Sequence, residues 1–257
     1  MLNEKKTDTI RDKYYGPLEF AEYCGDFLFY ISAVLSFVVP LINKEQHASI
    51  YNSSQIIFLL VVIILGVNSL VIRLYFAPRA QESRFKDFLS HSFNIPLSDE
   101  QTRGYYNNNQ VVPSRRIAAQ TLENSFYSKN VISEMAKIER MKIAGYAFIW
   151  FVAILNRNTG LSLIAIAAQL IFSEQLFSYW FRLEWLRIKF ENTYNDLFKL
   201  LSAGAKKVSV EVYALEIMSK YEMAKANAGV TLSSKIFNKE SEELDKKWEK
   251  IRVKLGI

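Results

Sequence analysis

Residues 48 to 72, ASIYNSSQIIFLLVVIILGVNSLVI, contain no Asp, Glu, Lys or Arg. The middle of this stretch, residues 56 to 65, has no polar side chain at all. A helix of about 20 apolar residues, rising about 1.5 Å per residue, crosses a bilayer core of about 30 Å. A helix that is apolar on every face also has no polar side to turn toward water. The stretch therefore predicts a membrane-spanning helix, which we expect Pro78 to end.

Three other apolar stretches predict further spans. Residues 27 to 42 carry no charge, and residues 143 to 156 and 161 to 181 flank a polar turn, Arg157-Asn-Thr-Gly160. Residues 27 to 42 and 143 to 156 are short for a bilayer core. We expect the last two stretches to form a helical hairpin whose tip touches the far side. The alternative is a hairpin buried in the core of a soluble helical protein.

The composition also favours a membrane protein with large aqueous parts. The 257 residues are 50% hydrophobic and 23% charged, with a formal net charge of +6 and a single cysteine, Cys24. The mean hydropathy of +0.02 is an average over strongly apolar and strongly charged stretches. One cysteine excludes an intrachain disulfide and a zinc site built from several cysteines.

The basic residues predict the orientation, because Lys and Arg accumulate on the cytoplasmic side of membrane proteins. Four precede the first apolar stretch, eleven lie between residues 73 and 142, and fifteen lie from residue 182 onward. The connection between the first two apolar stretches and the turn between the last two carry one basic residue each, Lys44 and Arg157. We therefore expect a multi-pass inner-membrane protein with both termini in the cytoplasm. A secretory signal peptide is the rival interpretation of residues 1 to 42, but the arm before the apolar run is too long and acidic for one.

These patterns predict an all-α protein with four transmembrane helices in two hairpins and a helical cytoplasmic region. Apolar residues recur at helical spacing from Ser114 into the third stretch, which predicts one continuous helix. The predicted divisions are an N-terminal arm (1 to 26), a first hairpin (27 to 76), a cytoplasmic helical insert (77 to 140), a second hairpin (141 to 181) and a helical tail (182 to 257).

The sequence contains no enzyme motif that we recognise. It lacks a phosphate-binding Gly-Lys-Ser/Thr loop and the G-x-G-x-x-G, G-x-S-x-G and H-E-x-x-H patterns. Its two histidines, His47 and His91, fall on opposite predicted sides of the membrane, which excludes a shared acid–base pair or a histidine metal cluster. We therefore expect no enzyme activity, no catalytic residue, no metal and no cofactor.

Polar side chains inside the predicted spans are candidates for a pore lining, because such groups are costly in lipid and usually face protein or water. Glu174, Gln169 and Ser173 lie on the fourth stretch, and Asn68 lies at a comparable depth in the second. The alternative role is helix packing, since amide and small side chains also form hydrogen bonds between helices. The sequence leaves both roles open.

A basic and aromatic loop is the candidate for ligand binding. Arginine forks and stacking rings together can hold nucleotide phosphates and bases, so a nucleotide second messenger is the ligand class that the loop suggests. Contact with anionic lipid headgroups, favoured for Arg79 and Arg84, and ordinary surface charge are the alternatives. Because no recognition motif accompanies the charge, we expect no duplex nucleic acid partner. The candidate residues are Arg103, Tyr105, Tyr106, Arg115 and Arg116.

The layout of the chain resembles the prokaryotic S-4TM family. The resemblance is carried by residues 27 to 42, 53 to 72, 143 to 156 and 161 to 181, with short external turns, a long helical insert and a basic helical tail. Proteins of this family are regarded as pore-forming effectors of antiviral systems that signal through cyclic nucleotides. The resemblance implies an effector that is quiet until triggered and then permeabilises the inner membrane. It is one of architecture, and no individual family residue is carried over.

The function that we predict is a membrane effector that assembles as a homo-oligomer, because four helices, two of them short, would scarcely enclose a water-filled path alone. The runner-up is a non-conducting scaffold or adaptor that recruits a partner through its basic helical tail. A small transporter and a membrane-bound enzyme are further alternatives. The transporter is disfavoured because so much of the chain is cytoplasmic and no inverted repeat is apparent.

Overall fold

The structure is a computed structural model, and it describes residues 7–100, 102, 104–106, 108–155, 174–202 and 207–257. These residues form helices joined by short connections and by one longer loop between residues 94 and 112, which confirms the predicted all-α class. The longer helices are α1 (Gly16–Val38), α2 (Ala48–Val71), α3 (Ala77–Phe93), α4 (Pro113–Leu155), α5 (Tyr179–Ser202), α6 (Lys207–Ala228) and α7 (Ser234–Leu255).

The chain divides into two compact units. The apolar unit comprises Gly16–Ala77 and Ile138–Phe181, and the charged unit comprises Met1–Tyr15, Pro78–Lys137 and Arg182–Ile257. α4 contributes residues to both units, since it runs unbroken from Pro113 to Leu155. The continuous helix predicted from Ser114 into the third apolar stretch is therefore present. Proline is well suited to the first position of such a helix, because its missing N–H would have no partner there.

Within the described residues, two helices are long and apolar enough to cross a membrane, Arg11–Leu41 and Ala48–Phe93. The second of them contains α2, none of whose side chains is buried against the described part of the chain. Ile56 is 59% exposed and Ile63 is 53% exposed. A core helix of a soluble protein would bury one face, so this exposure fits a helix that other helices or lipid must cover. Of the second predicted hairpin, residues 143–155 are helical, and residues 156–173 lie outside the described ranges.

Pro78 does not end the helix that carries the second span, contrary to the prediction. A single π-helical turn, Ile72–Phe76, ends two residues before Pro78, and the helix continues as α3. A second π-turn, Arg11–Tyr15, likewise ends two residues before Pro17. A proline ring clashes with the carbonyl one turn earlier in a regular α-helix, and a wider turn relieves that clash. The two π-turns therefore let each helix pass through its proline, and Asn94, with a positive φ of 57°, ends α3 instead.

The core of the charged unit is built from one face each of α4, α5, α6 and α7. α7 is fixed at both ends: the Ser233 hydroxyl accepts a hydrogen bond from the Ile236 N–H at 3.3 Å, and Gly256 ends the helix with a φ of +66°. Such caps satisfy backbone groups that the last turns leave free. The buried members of this core are Ala118, Ala119, Leu122, Phe126, Leu197, Ala214, Leu244, Trp248 and Ile257.

Candidate functional site

Asn68 lies in the contact between α1 and α2. Its Nδ2 atom donates a hydrogen bond to the Ala21 carbonyl oxygen at 3.0 Å. Gly25 lies one helical turn beyond Ala21, and a Cβ atom built there would lie 2.9 Å from Asn68 Nδ2. The absent side chain of Gly25 therefore makes room for the amide. Small residues facing a polar one are the usual arrangement in close helix packing, so within a single chain Asn68 performs the packing role.

The other pore-lining candidates cannot be placed in the same way. Gln169 and Ser173 lie outside the described residues. Glu174 begins a π-turn, Glu174–Ser178, but its side chain also lies outside the described part. The pore-lining role of these three residues stays a prediction.

Arg84 is the centre of an arginine–tyrosine cluster in the charged unit. Its guanidinium lies over the ring of Tyr105, 4.6 Å from the centroid, and over the ring of Tyr15 at 5.5 Å. Its Nη2 atom donates to the Asp8 carboxylate at 2.7 Å, and the side chain is only 14% exposed. Burial by itself would lower the pKa of the guanidinium, but Tyr105 and Asp8 raise it above its ordinary value. Arg84 is thus a fixed, charged anchor, and the expected headgroup contact does not fit its burial.

The cluster fixes the segment that leads into α1. Asp8 and Tyr15 both contact Arg84, and Lys13 between them forms an ion pair with Glu100. Aromatic faces attract a cation, most strongly where water is excluded. Asp8 already holds Nη2, whereas Nη1 is buried and has no hydrogen-bond partner among the described residues, so an external anion would compete with Asp8 for the guanidinium. The cluster can therefore act as a latch between the N-terminal arm and α3.

Arg116 holds the loop between α3 and α4. Its guanidinium donates to the carbonyls of Gln110 at 2.9 Å and His91 at 3.0 Å, with longer bonds to Ser92 and Val111. The carbonyls of His91 and Ser92 belong to the last turn of α3, where no backbone N–H remains to satisfy them. Arg116 therefore caps α3 and closes the loop. Arg115, by contrast, is exposed in the first turn of α4.

Both tyrosines of the loop pack against other side chains, although Tyr105 stays 36% exposed. The Tyr106 ring lies edge-on to Phe88 and to His91, with centroids 6.0 Å and 5.2 Å apart, while Tyr105 covers Arg84. Arg103 lies outside the described residues. Of the five predicted ligand-binding residues, the structure thus brings Tyr105 and Tyr106 together, uses Arg116 for the loop, and leaves Arg115 open to solvent.

A buried carboxylate, Asp87, organises the same loop. Its two oxygens accept hydrogen bonds from the backbone N–H of Thr102 at 2.9 Å and from the Thr102 hydroxyl at 2.7 Å. The His91 Nε2 atom lies 2.9 Å from the Thr102 carbonyl and 3.5 Å from Asp87. Because a carbonyl only accepts, Nε2 carries the proton. Burial favours the neutral acid, yet the bonds from His91 and Thr102 lower the pKa of Asp87, and the hydrogen bond to Asp87 raises the pKa of His91.

Among the residues that the structure describes, no three His, Cys, Asp or Glu side chains are grouped so that they could hold a metal ion. The Asp8–Arg84 pair joins residues 76 apart in sequence. Neither this pair nor the Asp87–Thr102–His91 network was predicted, and nothing in the local sequence pattern marks either.

Comparison with known proteins adds no further identification, because no family model, curated protein or solved structure matches this chain.

Proposed function

We propose that this protein is an inner-membrane effector that assembles as a homo-oligomer and permeabilises the membrane when it is triggered through its charged unit. The observation that carries the proposal is α2, an apolar helix with none of its side chains buried in the described chain. Such a helix requires lipid or other apolar helices around it. The described part of one copy does not supply such a cover, which supports both membrane insertion and association between copies.

The proposed topology has four spans in two hairpins, with both termini in the cytoplasm. It is supported by the eleven basic residues between residues 73 and 142 and the fifteen from residue 182 onward, against one in each proposed external connection. Arg73 and Arg79 follow the second span and are exposed, as expected at an anionic cytoplasmic surface.

The proposed trigger acts on the charged unit, and α4 is the element that would carry its effect. One unbroken helix contains residues of both units, so a displacement of its N-terminal half would be passed along its length. Proteins commonly switch between states by ordering a segment, moving about a hinge or shifting a helix. The antiviral setting of the proposal is taken from the resemblance to the S-4TM family.

A nucleotide second messenger is the proposed trigger ligand, with Arg115 as its accessible contact. Arg115→Glu should weaken binding about tenfold to a hundredfold, because a charged hydrogen bond contributes about 1.5 to 3 kcal/mol. Lys250→Glu, on the exposed face of α7, is the matched control and should bind as the wild type does. Titration with a panel of cyclic mono- and oligonucleotides measures this. Equal affinities for both variants would assign Arg115 to lipid contact or surface charge.

A non-conducting scaffold is the second candidate function. It is favoured by Asn68, whose amide is engaged in helix packing, and by α7, whose outer face is charged and open to a partner. The two candidates differ in one measurable property, which is whether ions cross the membrane.

Ion flux from liposomes containing the purified full-length chain tests the proposal. The wild type should release cations when triggered, and Glu174→Gln should change cation preference or conductance while cross-linking shows unchanged assembly. Glu242→Gln is the control, since Glu242 is 85% exposed on α7 and should leave flux unchanged. If the wild type shows no flux under any triggering condition, the scaffold function replaces the pore.

Cysteine labelling tests the topology on a Cys24→Ser background. Gln110→Cys and Glu240→Cys should be shielded from an impermeant thiol reagent in intact cells. Glu45→Cys, exposed in the connection between α1 and α2, should react and serves as the positive control. Labelling at position 110 or 240 would contradict the proposed orientation.

A further inference from the structure

α6 has an apolar outer face in addition to the face it buries. Val212 is 64% exposed, Leu215 45% and Met223 57%. The opposite side of the same helix is buried through Ala214, Met218 and Tyr221. At 3.6 residues per turn, Val212, Leu215, Ser219 and Met223 follow one stripe along the helix. A surface helix normally turns a polar face to water, so this stripe is a contact surface that no other part of the described chain covers.

The charges beside the stripe indicate what covers it. Glu211 and Glu216 flank it and are exposed, which disfavours an anionic lipid surface because such surfaces attract basic segments. Glu216 also pairs with Lys220 at 2.6 Å, one turn along the same edge. Along this edge of the helix, the negative charge of Glu216 is followed one turn later by the positive charge of Lys220.

Such an edge is complementary to itself when two copies run in opposite directions. In an antiparallel pair that crosses near Ser219, Leu215 of one copy lies next to Met223 of the other. The same crossing brings Glu216 of one copy within reach of Lys220 of the other, and the reverse pair forms by symmetry. Ser219 is small, so it lets the two helices approach closely at the crossing point.

We propose that the outer face of α6 is a two-fold contact between two copies of this chain, centred on Ser219. The contact rests on the homo-oligomer of the proposed function, but it does not depend on conduction. It places an association surface in the charged unit as well as in the apolar one. Pairing in the charged unit would let one copy respond to the state of another.

Disulfide cross-linking of the full-length protein in vesicles tests this contact. On a Cys24→Ser background, Ser219→Cys places its thiol next to the same thiol of the second copy, so mild oxidation should give a covalent dimer. Lys246→Cys, 71% exposed on α7, is the control and should cross-link at least fivefold more slowly. Equal rates for the two cysteines would overturn the proposal.

Charge reversal separates a real contact from chance collision. Glu216→Lys should slow Ser219→Cys cross-linking several-fold, and Glu216→Lys combined with Lys220→Glu should restore it, because the second change recreates the opposite charges. Failure of the double variant to restore the rate would overturn the contact. So would protection of Ser219→Cys from a water-soluble maleimide in vesicles without dimer formation, which would assign the face to lipid. Flux that persists without α6 cross-linking would reject this contact and leave the proposed function standing.

Discussion

Asn68 on α2 donates a 3.0 Å hydrogen bond to the backbone carbonyl of Ala21 on α1. In an apolar environment an amide without a partner is costly, since no water replaces the missing bond. The bond therefore restrains the relative rotation of the two helices. Gly25 beside it leaves the space that the amide fills.

Replacing Asn68 with Leu should destabilise the α1–α2 contact by about 0.6 to 1.7 kcal/mol, the range found for hydrogen bonds between membrane helices. Thermal unfolding of the detergent-solubilised protein measures the loss. Ser69→Ala is the control, because Ser69 is the exposed neighbour of Asn68 and should leave the melting temperature unchanged. An unchanged melting temperature for Asn68→Leu would assign Asn68 to a role outside the single chain, such as a pore lining.

Replacing Asp8 with Ala should release the N-terminal arm, because it leaves the buried guanidinium of Arg84 without its carboxylate. The expected cost is about 1 to 3 kcal/mol, and amide hydrogen exchange over residues 8 to 15 should speed up. Asp12→Ala removes an exposed acid from the same arm, and it should change neither the stability nor the rate of amide hydrogen exchange. Equal exchange in both variants would show that Arg84 does not hold the arm.

The Asp87–His91 pair should make stability depend on pH in two separate ranges. The pKa of Asp87 is lowered in the folded state, so its contribution is present above its ordinary pKa and is lost as pH falls through the lowered value. The pKa of His91 is raised, so its contribution is complete below about pH 6.5 and is lost as pH rises through the raised value.

His91→Gln should therefore flatten the loss of stability above about pH 6.5, since it removes the group that titrates there. Melting temperatures between pH 5 and pH 9 provide the measurement. His47 is the only other histidine and is exposed, so His47→Gln should keep the wild-type profile. If His47→Gln, rather than His91→Gln, flattened the curve, the assignment to His91 would be wrong.

Trp248 should dominate the packing of α7. It is 3% exposed, and its ring lies 5.6 Å from that of Phe126. Trp248→Ala should cost about 3 to 5 kcal/mol, whereas Trp248→Phe should cost much less, because its Nε1 atom has no hydrogen-bond partner in the described structure. Trp185→Ala, at a site 40% exposed, is the control. Denaturant unfolding in detergent measures the free energy of unfolding of these three variants. Similar losses of stability for Trp248→Ala and Trp185→Ala would contradict this packing.

The sequence by itself determined the elements whose cause is local. The absence of charge over residues 48 to 72 identified an apolar helix, and the spacing of apolar residues after Ser114 identified the continuous helix α4. Both follow from composition and period along a single segment, which are visible without any partner. The prediction that Pro78 ends the helix was wrong because a π-turn before it accommodates the proline ring. The sequence pattern along this segment did not indicate that turn.

Only the tertiary structure decided what the charged and polar side chains do. Arg84, Arg115 and Arg116 formed one basic group in the sequence, yet one is a buried anchor, one is exposed and one caps α3. Likewise, Asn68 acquired its role from Ala21, on another helix. A charge or amide takes its function from its partner, and these partners lie tens of residues away or at the far end of a loop. The sequence indicates which segments can form helices. The packing of distant segments against each other determines which polar side chains are already engaged and which remain available for binding.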